Sequence, residues 1–134
     1  MNEDIYKRLY RAKEFIDDSF NEPIDLGAIA QKASYSEFHF LRLFSKVYKT
    51  TPHKYLMGKR VEKAKELLRS DSISVTEICF EVGFESPGSF STLFNKLVGH
   101  SPTAYRQDVI RKFLISIQCP EKLIPGCFLL FMPR

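Results

Sequence analysis

Tryptophan is absent from the 134 residues, and there are only three cysteines. Cys79, Cys119 and Cys127 have no paired spacing, which excludes both a secreted disulfide framework and a zinc pattern. Cys79 lies among apolar helical positions and reads as a small core residue, so a reducing cytosol is the simplest compartment. No apolar run approaches the roughly 18 residues of a membrane span. The opening Met1–Asp4 leads straight into a charged helix rather than a secretory leader. Metalloprotease HExxH, dinucleotide-binding GxGxxG and P-loop signatures are missing too. Glu3, Asp4, Asp17 and Asp18 fall on one predicted helix surface, with no nucleophile converging on them. The expectation is therefore a chain that is not an enzyme, with no catalytic residue, metal ligand or cofactor.

What is present is the make-up of a folded globular protein: 44% hydrophobic and 27% charged residues rule out wholesale disorder. The length suits one domain or two small ones. Twelve phenylalanines supply core area, each burying roughly 150–250 Å². A net charge of +4 says little, but its distribution says more. Net charge runs −2 over residues 1–35, +6 over 36–65, −4 over 66–85 and +4 over 86–134. Two basic blocks alternating with acidic ones suit a protein that presents two faces to a phosphate backbone. A dipolar surface without a target is the plainer alternative.

The chain also resembles itself. Ile24, Leu26, Ile29, Ala30, Ala33 and Tyr35 fall on Ile73, Val75, Ile78, Cys79, Val82 and Phe84 at an offset of 49. Phe40, Phe44, Val47, Pro52 and Tyr55 fall on Phe90, Phe94, Leu97, Pro102 and Tyr105 at an offset of 50. The single insertion falls in the short turn between two helices, where it costs least. A repeat of this length fixes the architecture before anything else does.

Each copy has the same helical grammar. Asp25 caps a short helix with Leu26, Ile29, Ala30 and Ala33 inward; a break follows at Ser34–Ser36, and a second helix buries Phe40, Leu43, Phe44 and Val47. In the second copy Ser74 and Glu77 form a capping box, Gly83 serves the sharp turn, and Ser86–Pro87 opens a helix with Phe90, Leu93, Phe94 and Leu97 inward. Ser34 stands where Gly83 stands, so the first turn is less relaxed or differently shaped. Thr51–Pro52 and Ser101–Pro102 are further helix starts. The opening helix, about 4–20, buries Ile5, Leu9, Ala12, Phe15, Ile16 and Phe20. The prediction is an all-α protein of seven helices. Two helix-turn-helix units, about 25–48 and 74–98, are joined by a linking helix at about 52–69, within a region 1–109. In each unit the first helix braces the second, whose polar side is free to enter a major groove about 12 Å wide.

Several strings are similar to the DNA-binding region of the AraC/XylS family of bacterial transcription regulators, over about residues 5–107. Ile78-Cys79-Phe80-Glu81-Val82-Gly83-Phe84 resembles its Ile-Ala-x-x-x-Gly-Phe segment, with Cys for Ala. The run from Ser89 to Lys96 resembles its Phe-x-x-x-Phe-Lys-Lys portion. Gly99-His100-Ser101-Pro102-Thr103-Ala104-Tyr105-Arg106 resembles Gly-x-Ser-Pro-x-x-Tyr-Arg, and Arg60, Ala64 and Leu67–Leu68 resemble Arg-x-x-x-Ala-x-x-Leu-Leu. The resemblance implies sequence-specific binding of double-stranded DNA, with both second helices in successive major grooves on one face of the duplex. It also implies transcription regulation, usually activation through contact with RNA polymerase, in the cytoplasm on the nucleoid, and no membrane. A helical protein-interaction module without DNA specificity is the rival.

By the same resemblance, the base-reading positions are Phe38, Leu41 and Arg42 in the first unit and Gly88, Ser89 and Thr92 in the second. Arg42 has the fork that matches guanine O6 and N7. Phe38 packs on a thymine methyl or sugar, or else fills the core; Leu41 touches a methyl group or covers core. Ser36, His39, Lys46, Lys49, Ser86, Asn95 and Lys96 are phosphate or accessory contacts, which add affinity without sequence information. His39 has a plain solvated alternative, and His53 and His100 need no chemistry. Lys59, Arg60, Lys63 and Lys65 along the linking helix touch phosphate or form a solvated face, and Arg60 has a structural alternative. The family often carries larger side chains at Gly88 and Thr92, so the first unit is expected to discriminate more sharply. Residues 110–134 are too few for a regulatory domain. Phe113–Ile117 has the composition of a strand, and the tail is a candidate for self-association.

Overall fold

The computed structural model describes residues 2–118 as seven helices. These are α1 (Glu3–Ser19), α2 (Leu26–Lys32), α3 (Glu37–Tyr48), α4 (Pro52–Leu68), α5 (Val75–Glu81), α6 (Pro87–Val98) and α7 (Pro102–Gln118). The all-α expectation of two units around a linking helix holds.

Each helix starts at a side-chain cap, because the first amides of a helix lack internal partners. Asn2, Asp25, Ser36, Thr51, Ser74, Ser86 and Ser101 each accept from the backbone N–H three residues on, at 2.8–3.3 Å. Ser74 and Glu77 close a full capping box, the Ser74 N–H donating to Glu77 Oε1 at 3.1 Å.

The repeat is a repeat of backbone geometry. Ser34 and Tyr35 donate their amides to the Gln31 and Ala30 carbonyls; Gly83 and Phe84 do the same to Phe80 and Cys79, at 3.0–3.2 Å. These are paired Schellman closures, each with its C′ residue at positive φ: Ser34 at 59° and Gly83 at 104°. Ser34 therefore takes the left-handed conformation that Gly83 takes without a Cβ penalty. Lys49 (61°) and Gly99 (92°) also take positive φ, and each ends its helix, α3 or α6, with a single amide bond to the carbonyl four residues back. Since α2 and α5 start 49 residues apart and α3 and α6 start 50 apart, the extra residue of the second copy is Glu85.

Each unit has its own core. Leu9, Ala12, Ile16, Ile29, Ala30, Ala33, Phe40, Phe44 and Leu56 form the first. Val61, Ala64, Leu68, Ile78, Cys79, Val82, Phe84, Phe90 and Phe94 form the second. Phe40 tilts on Phe44 and Phe44 meets Tyr55; Phe90 and Phe94 with Tyr105 repeat the arrangement at 5.6 Å centroid separations. Polar ties run from the helix that follows each unit to the helix that precedes it. The Tyr55 hydroxyl donates to Asp17 Oδ1 at 2.5 Å, and Arg106 Nε donates to the Leu68 carbonyl at 3.2 Å. Lys13 and Lys59 also pair with Asp17. Burial acts to raise the Asp17 pKa, but hydrogen bonds from Tyr55 and Lys13 and the charge of Lys59 outweigh it, leaving the carboxyl below its ordinary value.

Two expectations are corrected. Leu97, predicted inward, is 52% exposed, and Val98 packs on the second core in its place. Helical period alone buries Leu97, but its position opens on the cleft beside α6, where no described element covers it. Phe113–Ile117 is not a strand. It continues α7, because helical hydrogen bonds satisfy its backbone locally and no partner strand exists among the described residues. Cys119, Cys127 and the apolar end 127–132 lie outside the described residues. Among the described residues no helix is long and apolar enough to cross a membrane.

Candidate nucleic-acid interface

α3 and α6 turn their aromatic stripes inward and leave the other side open. On α3, Phe38, His39, Arg42 and Lys46 are exposed, as is Lys49 just beyond it. Phe38 is 75% exposed, which removes core filling as its role. The Arg42 guanidinium lies over the Phe38 ring, 5.9 Å from its centroid, within the range of a cation–π contact. One turn apart on one helix face, the two form a flat apolar surface with a fork of donors beside it. His39 meets the edge of Tyr35 at 4.8 Å, so part of its ring is used locally. Leu41 is half-buried and lines a small cavity of about 340 Å³ with Ile24, Leu26, Thr51, Pro52 and His53.

On α6, Gly88, Ser89, Thr92, Asn95 and Lys96 are exposed. A Cβ built on Gly88 meets nothing within 4 Å, so the surface there is open. Ser36 and Ser86 serve first as helix caps, and the Ser86 hydroxyl donates onward to Ser89 Oγ at 3.0 Å.

Between α6, α4 and the α1–α2 connection lies a cleft of about 940 Å³. Ser89, Lys96 and Leu97 of α6 line one side, and His53 and Lys54 of α4 line another. This cleft and the Leu41 cavity share Ile24 and His53, so Leu41 of α3 and Ser89, Lys96 and Leu97 of α6 line neighbouring depressions. His53 and Lys54 were missed as site residues in the sequence. The available signal was a basic pair in the first turn of α4, just after α3.

The ion pairing separates two classes of cation. Lys59, Lys63 and Lys65 on α4 each pair with a carboxylate, and Arg60 is 7% exposed and bound to backbone carbonyls. Among the described residues, Arg42, Lys46, Lys49, Lys54 and Lys96 have no carboxylate within 4 Å. Of these five cations Lys54 and Lys96 line the cleft, and Arg42, Lys46 and Lys49 lie on or just after α3, a field that suits a polyanion. No cluster of three metal-ligating side chains occurs among the described residues.

Comparison with known proteins places this geometry. Residues 29–108 match the family profile described as a helix-turn-helix domain. The chain is 37% identical over 100 residues to the HTH-type transcriptional activator RhaS of Escherichia fergusonii, covering 75% of this chain and 36% of that protein. It is 35% identical over 86 residues to the MmsAB operon regulatory protein of Pseudomonas aeruginosa, covering 64% and 28%. The chain thus spans about a third of the length of the curated relatives it matches. Among solved structures it superposes on the DNA-binding domain of AdpA, a global transcriptional factor in complex with a target DNA. The TM-score is 0.74 at 29% identity, over 78% of this chain and 94% of that one. The C-terminal domain of AraT, a response regulator from Geobacillus stearothermophilus, gives 0.73 at 30% identity, over 78% and 87%.

Proposed function

The chain belongs to the AraC-type helix-turn-helix family, and from that premise we propose that it binds double-stranded DNA sequence-specifically and regulates transcription, with α3 and α6 entering successive major grooves. The observation that carries this reading is that Arg42, Lys46, Lys49, Lys54 and Lys96, on α3, at its C-cap, at the start of α4 and on α6, are exposed and have no carboxylate partner among the described residues. The superposition on a DNA-binding domain in complex with its target supports it.

In this mechanism α2 and α5 brace the reading helices. Arg42 donates its fork to guanine O6 and N7, and Phe38 covers a neighbouring thymine methyl. Leu41 contributes apolar contact. Gly88, Ser89 and Thr92 lie against the second groove with short groups, so the second unit positions more than it reads. Ser36, His39, Lys46, Lys49, Ser86, Asn95 and Lys96, with Lys54 added, hold phosphates and fix the register. Binding activates transcription through contact with RNA polymerase, in the cytoplasm on the nucleoid. Self-association through residues 110–134 belongs to the same reading; its described part exposes Leu114, Ile115 and Ile117 on α7.

The test is selection of bound duplexes from a random library, followed by footprinting and relative affinities for every base at each step. Arg42→Ala should relax preference at one step and lose about 1–3 kcal/mol there. Lys96→Ala should weaken all sequences alike and lower the salt slope by about 1. Unchanged base preference in Arg42→Ala, or no selected sequence at moderate salt, overturns the reading.

A further inference from the structure

The two units bury separate cores, and among the described residues Met57 of α4 is the one partly buried side chain that packs against both. A single helix with one shared side chain would leave the units free to twist about its axis. A second junction, off that axis, removes the freedom. One turn beyond Met57, Arg60 sends its Nε to the Phe20 carbonyl at 2.6 Å and its Nη2 to the Glu22 carbonyl at 3.0 Å. Both carbonyls belong to the α1–α2 connection of the first unit, and Phe20 is the C-cap of α1, where carbonyls lack helical partners. The guanidinium also lies 5.9 Å from the Phe84 ring centroid, in the second unit. Beside it the two backbones meet. A Cβ on Gly83 would lie 2.9 Å from Arg60 Nε, 3.0 Å from the Phe20 oxygen and 3.1 Å from Asn21 Cα.

This contact explains a difference between the two copies that the repeat itself leaves open. Ser34 occupies the same turn position as Gly83, but it is exposed and carries its side chain without obstruction. Only the second turn abuts the other unit, so only there is a side chain excluded. The inserted residue Glu85 follows in that turn and lines the cleft with Arg60, where its charge favours the guanidinium.

We propose that Arg60, seated between the Phe20–Glu22 connection and the Gly83–Phe84 turn, is a positioning residue that locks the two helix-turn-helix units at one mutual angle. Through that angle it sets the separation of the two DNA half-sites the chain accepts. The second clause rests on the DNA-binding reading; the first does not.

The experiment measures backbone amide residual dipolar couplings on the free protein, with and without Arg60→Met. Methionine keeps an unbranched stem against Phe84 and removes every donor. In the unsubstituted protein, couplings from α1–α3 and α5–α7 should fit one alignment tensor. In Arg60→Met, each half should still fit its own helices, but the two halves should require different tensors. Arg60→Lys, which keeps the charge but has no planar fork to span both carbonyls, is read by the same criterion if Arg60→Met does not fold. One shared tensor in the folded variant overturns the lock. Failure of both variants to fold also overturns it, because a clasp between two self-sufficient cores is dispensable to each. A second measurement uses the duplex selected by the unsubstituted protein, with one base pair inserted between its halves. The insertion should cost at least about tenfold in affinity with Arg60 present and less than about threefold in Arg60→Met. Equal penalties overturn the half-site clause. Absence of any selected duplex would instead refute DNA recognition, while the couplings judge the lock.

Discussion

Replacing Ser34 by glycine and Gly83 by alanine should move stability in opposite directions and by unequal amounts. The two residues close identical Schellman motifs, so hydrogen bonding cancels in the comparison. At φ 59° Ser34 sits in the left-handed region, which costs an L-residue about 1–2 kcal/mol. Glycine removes that cost but gives the unfolded chain more freedom, worth about 0.5–1 kcal/mol. The exposed Ser34 side chain has nothing else to lose, so Ser34→Gly should stabilise by about 0.5–1 kcal/mol. Gly83 is different. Its φ of 104° lies beyond the left-handed well that side chains tolerate, and its Cβ would press on the Phe20 oxygen and Asn21 backbone as well as on Arg60. A flexible side chain can move aside, but backbone cannot, so Gly83→Ala should cost more than about 2 kcal/mol. Urea denaturation followed by circular dichroism reads both. With a slope near 1–3 kcal/mol/M, Ser34→Gly should raise the midpoint by about 0.5 M with the slope unchanged. A destabilised Ser34→Gly, or a Gly83→Ala within about 0.5 kcal/mol of the parent, would refute the reasoning.

Phe44→Ala and Phe94→Ala each empty the centre of one core and should cost about 3–5 kcal/mol, whereas Phe38→Ala should change stability by under about 0.5 kcal/mol; thermal melts separate the two outcomes. The Asp17 carboxyl, held below its ordinary pKa in the fold, contributes stability that is complete above about pH 4 and is lost as pH falls through its folded value. Asp17→Asn should therefore be less stable than the parent at pH 7 and converge on it in acid, once pH falls below the folded value of the carboxyl, as denaturation midpoints across pH would show. Gly88 sits in the first turn of α6 with open space around it, so Gly88→Ala should raise the melting midpoint through backbone entropy worth about 0.5–1 kcal/mol.

The fold was legible because its signals are local. Each cap is a short side chain followed within four residues by an apolar stripe, and the offset of 49 then 50 located the extra residue in the right turn. Leu97 was misplaced because period says which way a residue points but not whether another element lies there. Phe113–Ile117 was misread for a related reason. Five apolar residues fit a strand or a helix, and the capped start at Ser101–Pro102, eleven residues earlier, decides for the helix. At the candidate site, exposure was legible and pairing was not. Lys59, Lys63 and Lys65 look no different in sequence from Lys46, Lys49 and Lys96, yet the first three are matched to Asp17, Glu66 and Glu62. Lys54 escaped because it belongs to the helix after α3 and reaches the cleft only through the packing of α4.

Two near-copies of one motif need not do equal work, and here their differences fall into a pattern. The first copy carries large groups on its exposed helix, Phe38 and Arg42, and tolerates a serine in its turn. The second carries Gly88, Ser89 and Thr92 outward and spends its constraints inward, on Gly83, Phe84 and Glu85 around a buried arginine. If both units read bases with equal sharpness, the second would need longer donors on α6, and the open space at Gly88 shows that packing does not forbid them. The short side chains are therefore not forced by the fold. A division in which one unit discriminates and the other anchors requires their mutual angle to be fixed, because an anchor that swivels cannot set the register of its partner. A largely buried guanidinium bound to two carbonyls is the kind of contact that fixes an angle: its donors are charged and directional, and each bond ties the linking helix to the backbone of the first unit.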